Sequence, residues 1–428
     1  MLGDDVYRIS EIGQPPVRIL KAPPTQRRIH WTAFLPDGKR FLYLAQARGS
    51  GQWGLRVAPL DGGPSKSVID VSSEAHYTSD AHLLYVRDGA LLAQRFDPDR
   101  LTFSGEAAVI VSHVSYFFST GRAEFSVSEN GVVAYQDGQD SSRLVWIDRN
   151  GREVQQIGAT ANYRNLRLSP QSDRLAVSID DPRLGTPDLW IQDLARDVRS
   201  RFTTEPRSEN RGRWSPDGKK ILYMADRDGP PQLFVKASDG SEPEHQLLPA
   251  GKFQEPQDWF PDGQSILFEQ GDFKSQPNLW ILSLITGRPS PFLPTPFYQG
   301  DGRISPDGKW IAFDSNESGH MEVYLAAVRS GGKLLVSRGR GLWPRWRRDG
   351  KELFYATFDD TVMAVPIREG SSMQIGSPAA LFHIPQPGWK DYDVSPDGQR
   401  FLAIVVDSAE GSSPIKIAVN WNRETGKR

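Results

Sequence analysis

The stretch Arg213-Trp214-Ser215-Pro216-Asp217-Gly218-Lys219-Lys220-Ile221-Leu222-Tyr223 constrains this chain more than any other feature. Pro fixes φ near −65°, Asp caps the turn through its own backbone, and Gly supplies the positive φ that ends it. Aromatic and β-branched residues flank the turn, so the stretch reads strand, turn, strand, buried on both sides. The phrase returns along the sequence. Turns open at Leu35, Ser79, Ser128, Ser169, Ser215, Phe260, Ser305, Arg347 and Ser395, and the last six are spaced by 46, 45, 45, 42 and 48 residues. A second strand recurs between them: Asp188–Ile191, Gln232–Val235, Asn278–Ile281 and Glu322–Leu325. Four short strands per ~45 residues are the signature of a β-propeller blade. A β-helix needs a much shorter period, and the 3.6-residue periodicity of helical repeats is absent. The fold class expected is all-β, a propeller of four-stranded antiparallel blades.

Nine turn phrases exceed the usual ring of about 4–8 blades. The expected organisation is therefore a complete six-bladed ring over residues 143–428. Residues 1–142 would form a partial propeller of about three irregular repeats. One eight- or nine-bladed ring is the alternative. Val6–Ser10 and Val17–Leu20 resemble the second half of a repeat, as if a unit began upstream. The last unit, ending with Pro414–Trp421, is one strand short. Arg143–Ile157 could supply that strand, and so could Val17–Leu20 in a larger ring.

Composition removes several function classes. Lys plus Arg (51) nearly balances Asp plus Glu (53), so no global charge excess points to nucleic acid. The sequence has no Cys, which excludes disulfides, thiolate nucleophiles and Cys-ligated metal sites. The start, Met1-Leu2-Gly3-Asp4-Asp5, has no signal-peptide pattern. The apolar run Phe401–Val406 is far short of the roughly 20 residues that span a bilayer. No membrane span is expected.

The spacings that catalytic motifs require do not occur. No Gly-x-Ser-x-Gly elbow occurs, since Gly263-Gln264-Ser265 continues with Ile266 and Leu267. The seven histidines (30, 76, 82, 113, 245, 320, 383) are scattered and read as surface or turn residues. Asp97-Pro98-Asp99 and Asp391-Tyr392-Asp393 are too short for a calcium loop and read as turn and strand-end residues. Arg338, Arg340, Arg345, Arg347 and Arg348 with Trp343 and Trp346 superficially suit a nucleic-acid patch. The repeat explains them better: Trp346 takes the Trp214 position and Arg345 the Arg213 position, while Arg347 and Arg348 replace Ser-Pro in a solvated turn. No cofactor, metal or nucleic acid is expected.

One column of the repeat carries more information. Two residues before the regular turn phrases stand Arg167, Arg213, Asp258, Arg303, Arg345 and Asp393. They sit on the first strand of each blade, which lines a propeller's channel, on the face opposite Trp214. In a closed ring each Asp has an Arg on both sides, so ion pairing between blades is the first expectation. The second is a channel with surplus positive charge that holds a carboxylate, phosphate or acidic peptide. The equivalent positions of the first three units, Ala33, Tyr77 and Ser126, carry no charge.

Trp214-Ser215-Pro216-Asp217-Gly218-Lys219 resembles the PD-type repeat of TolB-like propellers. Thr295-Pro296-Phe297 through Trp310, Pro344 through Tyr355, and Ser413-Pro414-Ile415 through Asn420-Trp421 are similar to a narrower group. That group is the C-terminal propeller region of bacterial membrane-anchored serine/threonine protein kinases. The resemblance covers essentially the whole chain and implies a sensor or interaction region, with a protein or small anionic ligand as partner. It does not bring kinase activity. There is no His-Arg-Asp loop, Asp272-Phe273 is followed by Lys274, and Gly339-Arg340-Gly341 leads into Leu342-Trp343-Pro344. The function expected is a non-catalytic binding or sensor module, with a propeller hydrolase or lyase using the channel as the alternative. The compartment expected is cytoplasmic by default, or periplasmic for a fragment of a membrane-anchored receptor.

Overall fold

The computed structural model describes residues 5–9, 14–23, 26–47, 53–71, 73–117, 121–128, 130–136, 142–181, 186–205, 207–227, 230–271, 276–369, 373–384, 389–406 and 415–421. Met1–Asp4, Ser10, Asp272–Lys274 and Ser413-Pro414, named above, lie outside them. The described secondary structure is β-strand throughout, without an α-helix. The chain divides into two compact units: Met1–Gln139 with Asp181–Thr186 and Ser412–Arg428, and Asp140–Asp180 with Pro187–Gly411.

Among the described residues the larger unit holds six antiparallel sheets. Sheet I runs Tyr163–Leu168, Arg174–Asp180, Pro187–Asp193, Val198–Arg201. Sheet II runs Glu209–Trp214, Lys220–Ala225, Gln232–Ala237, His245–Gln246, and sheet III Phe253–Trp259, Ser265–Gly271, Asn278–Ser283, Pro289–Pro291. Sheet IV runs Gln299–Ile304, Trp310–Ser315, Glu322–Ala327, Lys333–Leu335. Sheet V joins Leu342–Trp346, Glu352–Ala356, Thr361–Glu369 and Met373–Ile375, with Ala379–His383 also paired to its third strand. Sheet VI combines Trp389–Val394 and Arg400–Val406 with Ser142–Asp148 and Glu153–Ala161 from the start of the unit.

The first strands of these sheets neighbour one another in cyclic order, I to VI and back to I. A separate apolar core fills each junction. Leu222 and Leu233 meet Trp259, Ile266 and Phe268 between sheets II and III. Phe354, Val362 and Ala364 meet Val145, Ile147 and Phe401 between V and VI. Leu144, Trp146, Leu402 and Ile404 meet Tyr163, Leu166, Leu175 and Val177 between VI and I, which closes the circle. Each sheet is thus covered on both faces, as the doubly apolar strands require.

The turn phrase works as its residues dictate. Gly218 adopts φ +71°. Its N–H donates to the Ser215 carbonyl at 2.8 Å. Ser215 Oγ donates to Asp217 Oδ1 at 2.6 Å and accepts from the Lys220 N–H at 2.9 Å, while the Lys219 N–H donates to Asp217 Oδ1. These bonds hold the Asp217 carboxyl below its ordinary pKa.

Closure differs from the single missing strand expected. The outer edge of Arg400–Val406 is taken by Ser142–Asp148 through seven register pairs, Ser142↔Val406 to Asp148↔Arg400. Glu153–Ala161 then completes the sheet, so two strands come from each end of the unit. Arg149 clamps this sheet to sheet V, with its two Nη atoms each 3.1 Å from Glu352. Val17–Leu20 pairs with Val6–Arg8 instead of closing any ring. Ile415–Ala418 is not in sheet VI either. With that edge occupied, it pairs with Val133–Gln136, and residues 412–428 group with the first unit, not with the ring that was expected to run to 428.

The smaller unit has two four-stranded sheets, starting at Gln26–Phe34 and Ala75–Tyr77, and a three-stranded sheet of Phe125–Val127, Val133–Gln136 and Ile415–Ala418. Leu42, Leu55, Leu83 and Tyr85 join the first two, and Leu84, Val86, Phe125, Val133 and Trp421 the second and third. His82, read above as a surface or turn residue, is buried and edge-on to Trp421 at 5.6 Å. Trp421 Nε1 donates to the Gly131 carbonyl at 2.6 Å.

Candidate functional site: the arginine column

The first strands of sheets II, IV and V each carry a bulge just before the column residue: register breaks between Asn210 and Arg213, Gly300 and Arg303, and Leu342 and Arg345. Arg211, Asp301 and Trp343 take the left-handed conformation there, with φ of 58°, 46° and 58°. A bulge re-aims the next side chains and increases local twist. Arg213, Arg303 and Arg345 follow such bulges directly, whereas Arg167 sits in regular register opposite Ala176. Arg167, Arg213, Arg303 and Arg345 are 6%, 3%, 6% and 3% exposed.

These four side chains are brought together. The charges of Arg167 and Arg303 both act on Arg213, and Arg167 and Arg345 act on Arg303, although sheets I and IV are opposite in the cyclic order. Burial and these like charges press the Arg213 guanidinium well below its ordinary pKa and push Arg303 down to about 9.

The two column aspartates do not pair with the arginines. Asp258 accepts from the Trp259 and Ile304 N–H groups, both at 2.9 Å. Asp393 accepts from the Val394 and Leu168 N–H groups, also at 2.9 Å. Both therefore bond the backbone of the next sheet. Where the next sheet carries Trp after its column residue, the indole makes the link. Trp214, Trp259 and Trp346 donate to the carbonyls of Arg167, Arg213 and Arg303 at 3.1–3.2 Å. Arg is thus followed around the ring by Trp at three junctions, and Asp by Ile or Leu at two.

The carboxylate that pairs with column arginines is Asp391, which the sequence reading assigned to a turn or strand end. Its oxygens lie 2.8 Å from Arg167 Nη1 and 2.9 Å from Arg345 Nη2, and it accepts from the Leu166 and Tyr392 N–H groups. Burial raises its pKa, but Arg167 and Arg345 outweigh burial and hold it below the usual carboxylate range. Asp391 lies two residues before Asp393, and the Asp-x-Asp spelling, unique among the regular units, was the available signal.

Sheets II to IV carry a second group that sequence reasoning missed. Arg211, on its bulge, pairs with Glu255 at 3.0 Å and lies 3.9 Å from Asp301. Glu255, Glu269 and Asp314 are pushed up by burial, and neighbouring carboxyls add to the rise. Among the described residues no group of His, Asp or Glu is arranged to hold a metal ion. The Arg338–Arg348 cluster dissolves: Arg345 turns into the ring, Arg347 pairs with Asp349 and Glu352, and Arg348 donates to the Pro170 carbonyl.

Residues 126–277 match a family model described as the TolB beta propeller domain. Putative TolB from Agrobacterium tumefaciens superposes with a TM-score of 0.52 at 17% identity, over 64% of this chain and all of that one. TolB from Acinetobacter baumannii covers 87% of this chain and 80% of its own at 14% identity, with a TM-score of 0.40 too low to add to the fold assignment. An uncharacterized peptidase, YuxL, of Bacillus subtilis is 25% identical over 168 residues, 31% of this chain. This chain spans only a quarter of that relative's length. No described helix is long and apolar enough to cross a membrane. The cyclic four-stranded sheets and the superposition on putative TolB from Agrobacterium tumefaciens identify the fold as a β-propeller, and residues 126–277 carry the match to the TolB beta propeller domain.

Proposed function

We propose that the chain is a non-catalytic binding module whose six-sheet ring takes an anionic ligand, protein or small molecule, at its channel. We further propose kinship with the propeller regions of receptor-type serine/threonine kinases, on the strength of the three sequence runs named above. The observation that carries the binding reading is the convergence of four buried guanidiniums at the ring centre. The two column carboxylates, Asp258 and Asp393, spend their oxygens on backbone N–H groups. Blades supply the scaffold in such a fold, and recognition falls to the channel and the loops at its mouth.

The test is retention of acidic and basic peptide pools on the immobilised chain at low and physiological ionic strength. Acidic peptides are expected to be retained and released by salt, because exposed portions of the interaction are screened. No retention, or equal retention of both pools, would sink the reading.

A further inference from the structure

The ring has a pseudo-two-fold arrangement that exposes one missing partner. Sheets VI and III carry the two column aspartates, and each is flanked by a column arginine on both sides. Around sheet VI, Arg345 Nε donates to the Tyr392 carbonyl at 3.0 Å, Nη1 to the Pro344 carbonyl at 2.8 Å, and Nη2 to Asp391. Around sheet III, Arg213 Nε donates to the Gln257 carbonyl at 2.8 Å and Nη1 to the Gly212 carbonyl at 3.2 Å. Its Nη2 is buried with no partner among the described residues. The other pair repeats the pattern. Arg167 Nη1 bonds the Leu166 carbonyl, approaches the Tyr392 carbonyl at 3.5 Å and pairs with Asp391. Arg303 Nη1 donates to the Gly302 and Gln257 carbonyls, both at 2.6 Å, while its Nε and Nη2 are buried without partners among the described residues.

The difference is one residue. Pro256, two positions before Asp258, stands where Asp391 stands before Asp393. Among the described residues, Asp391 pairs with Arg167 and Arg345, although Arg167 Nε stays buried without a partner, and no carboxylate bonds Arg213 or Arg303. Nearby carboxyls do not fill that role: Asp258 is engaged with backbone N–H groups, Glu255 pairs with Arg211, and Asp301 lies beside Arg211 at 3.9 Å. Buried guanidinium N–H groups left unpaired are costly, and a fork of donors from two arginines matches a carboxylate.

We infer that Arg213 and Arg303 form a built subsite for a ligand carboxylate, which takes the place that Asp391 fills on the opposite side of the ring. The inference rests on the reading of the ring as an anion-binding module and names the chemistry of its ligand. The carboxylate comes either from a free small acid or from a peptide end.

The experiment measures the thermal midpoint of the full chain in low salt with formate, acetate, chloride, a short peptide acid and the same peptide as its amide. It uses wild type, Arg303→Gln and Pro256→Asp. In wild type, formate and acetate are expected to raise the midpoint by several degrees where the source is a small acid. The peptide acid, but not its amide, is expected to do so where the source is a peptide end. Arg303→Gln is expected to weaken the effect at least about tenfold in concentration. Pro256→Asp supplies the carboxylate from the chain itself. It should raise the midpoint without ligand and abolish the response, which keeps the test decisive if Arg303→Gln does not fold. A response to chloride equal to that to acetate, no response to any carboxylate, or an undiminished response in Pro256→Asp overturns the subsite. Acidic-peptide retention that survives in Pro256→Asp would leave the binding reading standing while removing this subsite from it.

Discussion

Asp391→Asn is the substitution that most directly probes the ring centre. Asn preserves the shape and can still accept from the Leu166 or Tyr392 N–H, but it removes the charge shared by Arg167 and Arg345. Both guanidiniums are almost wholly buried, so each would be left charged without a counter-ion. Breaking a buried pair in this way costs about 3–5 kcal/mol. For a unit of this size about 2 °C accompanies each kcal/mol, which gives a fall of roughly 6–10 °C in the unfolding transition of the ring. The pH dependence has a defined sign. The folded pKa of Asp391 is depressed, so its contribution is present above the unfolded value of about 3.9 and is lost as pH falls towards the folded one. The gap between wild type and variant should be full at pH 7 and shrink below about pH 4. Scanning calorimetry of the whole chain, with Asp393→Asn as control, checks this. Asp393 bonds only backbone N–H groups, so its variant should lose about 1–2 kcal/mol. A wild-type midpoint in Asp391→Asn, or a larger loss in Asp393→Asn, would refute the assignment of Asp391 as the shared counter-ion.

Further expectations concern stitching, closure, close packing and burial. Trp214→Phe removes the indole donor to the Arg167 carbonyl and should cost about 1–2 kcal/mol in urea denaturation, including the lost volume. Val145→Pro interrupts the strand that closes the ring between its partners Gln156 and Ala403, and should make sheet VI the first site of limited proteolysis. A Cβ on Gly302 would lie 2.6 Å from Leu267 Cδ2, so Gly302→Ala should destabilise by about 1–3 kcal/mol through overpacking. At Gly38, φ is +61° and nothing lies within 4 Å, so Gly38→Ala should cost only the roughly 1 kcal/mol of the left-handed backbone. In the smaller unit, burial pushes Glu74 up to about 7. Its contribution is therefore present below the unfolded pKa near 4.3 and lost as pH rises through 7, by about 3 kcal/mol. Glu74→Gln should flatten that part of the pH–stability curve, and an unchanged curve would contradict the burial argument.

The sequence by itself determined the blade. Ser-Pro-Asp-Gly dictates its own turn because Pro, Asp and Gly each satisfy a local backbone requirement, and the turn delivers strands of fixed polarity on both sides. Repetition of that phrase made the all-β propeller class and the inward column of Arg167, Arg213, Asp258, Arg303, Arg345 and Asp393 legible without coordinates. Tertiary structure decided what depends on partner choice. A strand edge offers the same N–H and C=O groups to any comer, so only packing settled that Ser142–Asp148 closes sheet VI and that Ile415–Ala418 joins Val133–Gln136. Bulges at Arg211, Asp301 and Trp343 re-aim side chains by less than one repeat, a shift invisible to simple alternation. In sheet VI the register break between Trp389 and Tyr392 falls at Asp391, two residues from the column aspartate, which pairs with Arg167 and Arg345, while Pro256 holds the matching sequence position in sheet III.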